Sequence, residues 1–348
     1  MPVTIRQLAT ELGVSRQTVS SILSGRVENY RPETCARVVK AAKRMGYRPN
    51  GAAKAIFSKQ MKAVGAVVVN TTGTVNLRPI YSLKAYELII GANNQLNEAD
   101  YMLSLVNVGG TENERESRAF REHLLDGLLV FGRTFEQTRR RIEAVAEHAV
   151  HVDTNYFAKH NCVRRDETAA GRLLAERAIA AGARRLVWIG IDEPEEHQHF
   201  SQQARQAGVV KAAKAARVPL EIVGFKNGAV RTWSREAVLE AVGLPSSKPL
   251  RKRDAADRVL LCYNEKITFW VVALLGEYGL GMGEHYRLGN CDLGSAAPPL
   301  AGLAGVRFER TRLGAAGAAM LLELIRTGKP VPSRVFADEF VDGKSLGG

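Results

Sequence analysis

At 348 residues, with 45% hydrophobic and 24% charged content, the chain is too long for one compact core and too apolar for wholesale disorder. Its formal charge of +13 is unevenly spread: residues 1–62 hold 12 Lys and Arg against 3 acids, a local +9 that is the electrostatic footprint of a polyanion binder. Cys35, Cys162, Cys262 and Cys291 make no CxxC pair, so neither a zinc cluster nor a disulfide framework is signalled. Scattered thiols suit a reducing compartment. Residues 1–20 lack a signal-peptide apolar stretch, and the longest apolar run, near Ile267–Gly276, is too short to span a bilayer. A cytoplasmic, nucleoid-associated protein with no membrane partner is expected.

The chain opens on a capping box, Thr4 with Gln7 three residues on, followed by an apolar face of Ile5, Leu8, Ala9 and Leu12 at helical spacing. Gly13 supplies a turn, and small Ala9 lets two helices approach. Ser15 caps a second helix whose inner face is Val19, Ile22 and Leu23. Arg16, Gln17 and Ser20 then point outward from its start. That is the outline of a helix-turn-helix, whose second helix enters the major groove. Arg pairs bidentately with guanine and Gln with adenine, while Thr18 and Ser20 suit phosphates. A third helix is predicted over Glu33–Met45, with Ala36, Val38, Val39, Ala42 and Met45 apolar and Gly46 as its stop. Pro49 breaks the chain, and Asn50 can cap a two-turn helix too short to be stable alone. Ile56 on that helix has the character of a minor-groove wedge.

The run from Val3 to Ser58 resembles the DNA-binding headpiece and hinge of the lactose-repressor (LacI/GalR) family. The residues that carry the resemblance are Thr4, Ile5, Leu8-Ala9, Gly13-Val14-Ser15, Thr18-Val19-Ser20, Pro32-Glu33-Thr34 and Gly46-Tyr47-Arg48-Pro49-Asn50. The resemblance implies DNA contacts from Thr4, Ser15, Arg16, Gln17, Thr18, Ser20, Ser21, Asn29, Tyr47, Asn50, Ala53 and Ile56. Three positions depart from the family: Ser21 stands where many members carry a base-reading Arg, Ile56 where the wedge is usually Leu, and Arg31 where Ser usually caps the third helix.

From Val64 onward strands and helices alternate. Strands are predicted at Val64–Val69, Tyr101–Val106, Gly127–Phe131 and Val150–Asp153, then at Leu186–Ile191, Leu220–Gly224, Arg258–Cys262 and Arg287–Asn290. Helices lie between them at Leu83–Glu98, Glu114–Leu125, Phe135–His148, Glu167–Ala181, Gln202–Ala216, Ser234–Val242, Lys266–Tyr278 and Arg312–Arg326. Two such series predict an α/β core of two parallel sheets. The core is similar to that of the same family, which resembles periplasmic sugar-binding proteins: two Rossmann-like subdomains joined by three crossovers. Carrying motifs are Asp126–Gly132, His151-Val152-Asp153, Arg165–Gly171, Ala181–Arg185 and Leu313-Gly314. The expected organisation is a small all-α headpiece (1–48), a hinge helix and linker (49–61), one subdomain from 62–157 plus 294–327, and another from 158–293 plus 328–348.

Ligands of such sheets bind at strand carboxyl ends. Asp153, Asn264 and Asp292 end or follow strands, and Ser201 and Arg205 share a helix face. The resemblance implies that residues matching these five line an effector pocket suited to sugar hydroxyls. Singly, each has a plainer reading as a helix cap or packing residue. The family's Asn-Asp pair is here Asn264-Glu265, and its Gly-aromatic-Asp-Asp run reads Gly289-Asn290-Cys291-Asp292. Arg78, in the loop from Asn70 to Pro79, is consistent with an acidic ligand or with a plain exposed loop. Gly279–Gly283 follows a helix, the reverse of a dinucleotide fingerprint. His197-Gln198-His199 reads as a solvated loop rather than a metal site. No GxSxG, P-loop or nucleophile–base pair is present, so no enzyme, cofactor or metal is expected. The expectation is therefore a transcriptional regulator, acting as a repressor and homodimer, with operator DNA and a sugar or sugar-derivative effector as partners. Effector binding would change the angle between subdomains, and with it the hinge helices and the grip on DNA. The rivals are a solute receptor that uses only the core, a sugar-processing enzyme with an appended DNA domain, and an architectural DNA binder.

Overall fold

The computed structural model describes residues 3–48, 60–69, 83–108, 116–134, 136–191, 199–223, 239, 258–294 and 300–347. The chain divides into two compact units, Met1–Met61 and Lys62–Gly348. The hinge expectations at Asn50, Ala53 and Ile56, Arg78, and the helix expected at Ser234–Val242 lie outside the described residues apart from Leu239.

The first unit is three helices: α1 (Ile5–Leu12), α2 (Arg16–Leu23) and α3 (Pro32–Met45). The capping box forms as spelled: Thr4 Oγ1 accepts from Gln7 N at 3.3 Å, and Thr4 N donates to Gln7 Oε1 at 2.8 Å. Gly13 ends α1 at φ 64°, a left-handed turn that costs glycine little. Leu8, Ala9, Val19, Ile22, Val38, Ala41 and Ala42 make the core. α3 is rotated from its expected face, since Ala36 and Val39 are exposed and Ala41 is buried in their place.

The second unit holds two six-stranded sheets. The first is built from β1 (Ala63–Val69), β2 (Met102–Leu105), β3 (Gly127–Gly132), β4 (Ala149–Thr154) and β5 (Cys162–Arg165). Its helices are α4 (Leu83–Glu98), the single turn α5 (Arg118–Arg121) and α6 (Glu136–Val145). The second is built from β6 (Arg185–Ile189), β7 (Leu220–Val223), β8 (Arg258–Cys262), β9 (Arg287–Leu293) and β10 (Ala304–Arg307). Around it stand α7 (Glu167–Ala180), α8 (Phe200–Ala216) and α9 (Glu265–Gly276). The chain then returns through α10 (Arg310–Thr327) to β11 (Arg334–Phe336) in the first sheet, and ends in β12 (Glu339–Val341) in the second. Strand orders are β11-β5-β4-β3-β1-β2 and β12-β10-β9-β8-β6-β7. Every pairing is parallel except β10 with β12.

Strand pairing places the passages between sheets at 165–167, 307–310 and 336–339. The expected boundaries at 157, 294 and 327 therefore shift. β5 and β11 pair with each other in the first sheet, and β10 pairs with β9 in the second. β5, β10 and β11 are three or four residues long, below the length at which an apolar pattern declares itself. The helix expected at Glu114–Leu125 is reduced to α5, with His123 at φ 51° just beyond it.

Each sheet is covered on one face by a close helix pair: α4 with α10, and α7 with α8. Both pairs meet through glycine. A Cβ on Gly314 would lie 1.9 Å from Leu88 O, and one on Gly171 would lie 1.9 Å from Arg205 O. Backbone cannot yield as a side-chain tip can, so Gly314→Ala or Gly171→Ala is expected to cost about 1–3 kcal/mol, the usual range for overpacking, in urea unfolding of the full chain. Within β4, His151 is buried with its ring 4.7 Å from that of Tyr156. Burial lowers its pKa from 6.5 to about 4, against the pull of Glu143 and with the push of Arg139. The unfolded chain takes up this proton at higher pH than the folded one. Stability is thus complete above about pH 6.5 and drains towards pH 4, by about 3 kcal/mol in all. Equilibrium unfolding at stepped pH should show this slope, and His151→Phe should flatten it.

Candidate functional site

Two sites emerge, one in each unit. In the first unit, Ser15 Oγ accepts from Thr18 N at 3.0 Å and lies 2.9 Å from Thr18 Oγ1. This N-cap fixes the first turn of α2, whose Arg16 and Gln17 stand fully outside. An open cavity of about 480 Å³ lies beside that turn, lined by Arg6, Ala9, Thr10, Gly13, Val14 and Arg16. Ser20 is half-buried and Asn29 is exposed in the turn before α3. Tyr47 packs on the headpiece core. Thr4 and Thr18 spend their hydroxyls on caps. Ser21 corrects an expectation: it is 6% exposed. One turn after Gln17, its short, enclosed hydroxyl is not presented at the surface that a longer Arg would reach.

In the second unit, the carboxyl ends of both sheets carry polar residues, and the structure brings most of the expected ones together. Asp153, next to last in β4, stands at φ 53°, a left-handed conformation uncommon outside glycine. Its Oδ1 is buried with no hydrogen-bond partner among the described residues, as are Asn155 Oδ1 and Thr134 Oγ1 nearby on the same sheet edge. From the other sheet, Ser201 Oγ lies 2.7 Å from both His199 Nδ1 and Tyr263 Oη. Asp153 and His199 feel each other across this gap: burial lowers the His199 pKa, and the Asp153 charge opposes the shift. Asn264 is the N-cap of α9, accepting from Ile267 N at 3.0 Å. His199 corrects the solvated-loop reading. Its ring nitrogen caps α8 by accepting from Ser201 N at 3.4 Å, and its ring packs on Phe200.

Arg205 and Asp292 stand behind this gap in a buried ion network. Arg205 grips Glu167 with two donors, Nε to Oε2 at 2.6 Å and Nη2 to Oε1 at 3.1 Å. Its Nη1 donates to Tyr263 O at 2.9 Å and lies 3.3 Å from Asp292 Oδ2. Asp292 Oδ1 accepts from Arg165 at 2.9 Å and from Arg310. Burial alone raises the Glu167 carboxyl, but Arg165 and Arg205 outweigh it and hold the group ionised below its ordinary value. Burial pushes Asp338, 3.7 Å from Arg165 Nε, up to about 7, and Arg165 only partly opposes it. Sequence reasoning did not single out Glu167, Arg165 or Arg310 as partners of this site. The available signal was the run Arg165-Asp166-Glu167 at a strand-to-helix junction. Two opposite charges there meet a low-dielectric edge that only tertiary structure reveals. Among the described residues no group of His, Cys, Asp or Glu gathers to hold a metal. No helix among them is long and apolar enough to cross a membrane.

Residues 4–50 match the bacterial regulatory proteins of the lacI family. Over 333 residues the chain is 28% identical to the HTH-type transcriptional regulator GntR of Pseudomonas aeruginosa, covering 94% of this chain and 90% of that protein. Its fold is similar to that of the Lac repressor dimer bound to operator and the anti-inducer ONPF, with TM-score 0.72 and 17% identity over 99% of both chains. It is also similar to the CelR–cellobiose complex, with TM-score 0.56 and 18% identity over 99% of both. These relatives are named as regulators, and none as an enzyme. The headpiece matches the lacI-family model, and a transcriptional regulator aligns along nearly the whole chain, so the chain is similar to DNA-binding transcriptional regulators of that family.

Proposed function

We propose that the chain is a homodimeric repressor whose hold on a pseudo-palindromic operator is set by a sugar-like effector bound between the two core sheets. The observation that carries the effector half is Asp153. A buried carboxylate oxygen without a partner among the described residues, on a residue in left-handed backbone, is open to a donor from a ligand. Asn155 Oδ1 and Thr134 Oγ1 extend the same demand along one sheet edge, while Ser201, beside His199, and Asn264, the cap of α9, belong to the other sheet. A ligand rich in hydroxyls meets such a set of acceptors. The Lac repressor with ONPF and CelR with cellobiose support a sugar-like occupant in this fold. The Lac repressor dimer supports a paired reader, with two α2 helices in successive major grooves.

On this reading Arg16 and Gln17 read bases, while Ser15, Thr18 and Ser20 position the helix on phosphates. Asn29, Tyr47 and the hinge residues Asn50, Ala53 and Ile56 add contacts outside the recognition helix. Arg16→Ala or Gln17→Ala should then cost about 1–3 kcal/mol at one operator position, measured by binding to single-base operator variants. An equal loss on random DNA would count against base reading. For the effector, a thermal-shift screen of neutral sugars and sugar acids is the direct test. A ligand at about 100 times its Kd stabilises by about 2.7 kcal/mol. Asp153→Ala should abolish that shift and leave operator binding intact. Retention of the shift in that variant would sink the pocket assignment.

A further inference from the structure

The carboxyl edge of the first sheet changes character along its length. Strands β3, β4 and β5 lie side by side and parallel, with Gly132 level with Thr154 and Val152 level with Val163. Thr134 Oγ1, Asp153 Oδ1 and Asn155 Oδ1, buried and without partners among the described residues, stand at the ends of β3 and β4. At the end of β5 the chemistry reverses from acceptors to cationic donors. Arg165 is 1% exposed, and its Nε and Nη2 have no hydrogen-bond acceptor among the described residues. Arg310, the first residue of α10, is 3% exposed, and its Nη1 is in the same position. Asp292 Oδ1 accepts from both guanidinium groups and draws them together, which leaves those three nitrogens over. The nearest carboxylates do not answer them. Asp338 lies 3.7 Å from Arg165 Nε, and Glu87 lies 3.7 Å from Arg310 Nη1, both beyond hydrogen-bond reach. Glu167 Oε2, 3.0 Å from Arg165 Nη2, accepts instead from Arg205 Nε at 2.6 Å. Burial pushes Asp338 up to about 7, so near neutrality it opposes Arg165 with less than a full charge.

We infer that the effector is a sugar bearing an anionic group, a carboxylate or a phosphate, whose hydroxyls meet Thr134, Asp153 and Asn155 and whose anion meets Arg165 and Arg310. The inference rests on the reading of this edge as the effector site. The two kinds of group belong to one place, because the charges of Asp153 and Arg165 both reach the ring of His199, one raising and the other lowering its pKa. Neighbouring strands stand about 4.8 Å apart, so the ends of β3 and β5 are roughly 10 Å apart, the reach of a six-carbon chain with its hydrogen bonds. A neutral sugar leaves the spare guanidinium nitrogens unserved in a site closed to water, and an unmet donor on a buried cation is costly. An anion serves both arginines at once through fixed N–H donors. The Asp153 carboxylate also sets the direction of the ligand, since it repels an anion from the β4 end while the arginines draw it to the β5 end.

The test compares matched ligands on the full chain, by thermal shift and then by titration calorimetry. Galacturonate, galactonate and galactose 6-phosphate are set against galactose, and the corresponding glucose derivatives against glucose. At least one anionic member should bind about 10- to 100-fold more tightly than its neutral parent, the gain expected of a charge-assisted contact with buried partners. Arg310→Gln should remove that advantage and leave the affinity for the neutral parent where it was. Arg310→Lys keeps the charge but loses the planar fork, and should keep only part of the advantage. If Arg310→Gln does not fold, the Lys variant carries the test, with a several-fold loss expected on the anionic sugar and none on the neutral one. Arg140→Gln, at an exposed position on α6, controls for the loss of one positive charge and should change neither affinity. A neutral parent that binds as tightly as its anionic derivatives overturns the inference and leaves the sugar-effector reading standing. An advantage undiminished in both Arg310 variants overturns the placement of the anion at this end of the edge. If no sugar of either series shifts the chain, the effector reading fails and the inference falls with it.

Discussion

The carboxylate of Asp292 in the company of three guanidinium groups is the constraint on which the arrangement of the core depends. Arg165, Arg205 and Arg310 are each almost wholly removed from water. An unpaired charge in that position is severely unfavourable, so each arginine is tolerable only while its carboxylates stay within reach. Those carboxylates sit on both sides of the boundary between sheets. The electrostatic requirement is thus also a geometric one. Glu167 and Asp292 satisfy cations from both sheets. Apolar packing within each sheet gives stability without direction, whereas the ion network gives direction at the cost of desolvation.

The cleft edge inherits its character from this. Tyr263 offers its carbonyl to Arg205 and its hydroxyl to Ser201, and burial pushes that hydroxyl up to about 12, so it stays protonated beside the network. Burial lowers the pKa of His199, and its ring is fixed as the cap of α8. One sheet edge thus presents groups already committed to each other. The opposite edge, with Asp153, Asn155 and Thr134, presents acceptors that are without partners among the described residues.

Much of this was legible in the sequence where the signal is local. The Thr4–Gln7 box, the Ser15 cap and the Gly13 turn are short-range chemistry, and all three form as spelled. The alternation of long strands and helices was equally readable, because each element is long enough to show its period. What was not readable depends on partners far along the chain. β5, β10, β11 and β12 are too short to be seen without the neighbours that pair with them. The family resemblance alone places a DNA contact at Ser21, but the packing of three helices encloses a side chain so short. Arg205 and Asp292 were recognisable as residues of the cleft region. Their commitment to Glu167, Arg165 and Arg310 spans up to 127 residues of sequence and leaves no local trace.

The order in which the chain visits its sheets has a consequence for how it is made. α4, at residues 83–98, waits for α10, at 310–327, before its glycine-lined face is covered. β5 waits for β11, and β9 for β10. Neither half can close in the course of synthesis while the other is being made, because both are completed only by the last fifty residues or so. A ribosome moving at about 5–20 residues per second leaves the early sheet incomplete for on the order of ten seconds or more. During that interval the strand edge of β5 and the apolar flank of α4 are open to other chains. The headpiece, with its core closed by residue 47, escapes this delay. The nascent molecule thus carries a finished DNA-reading fold well before it has a body with which to regulate it.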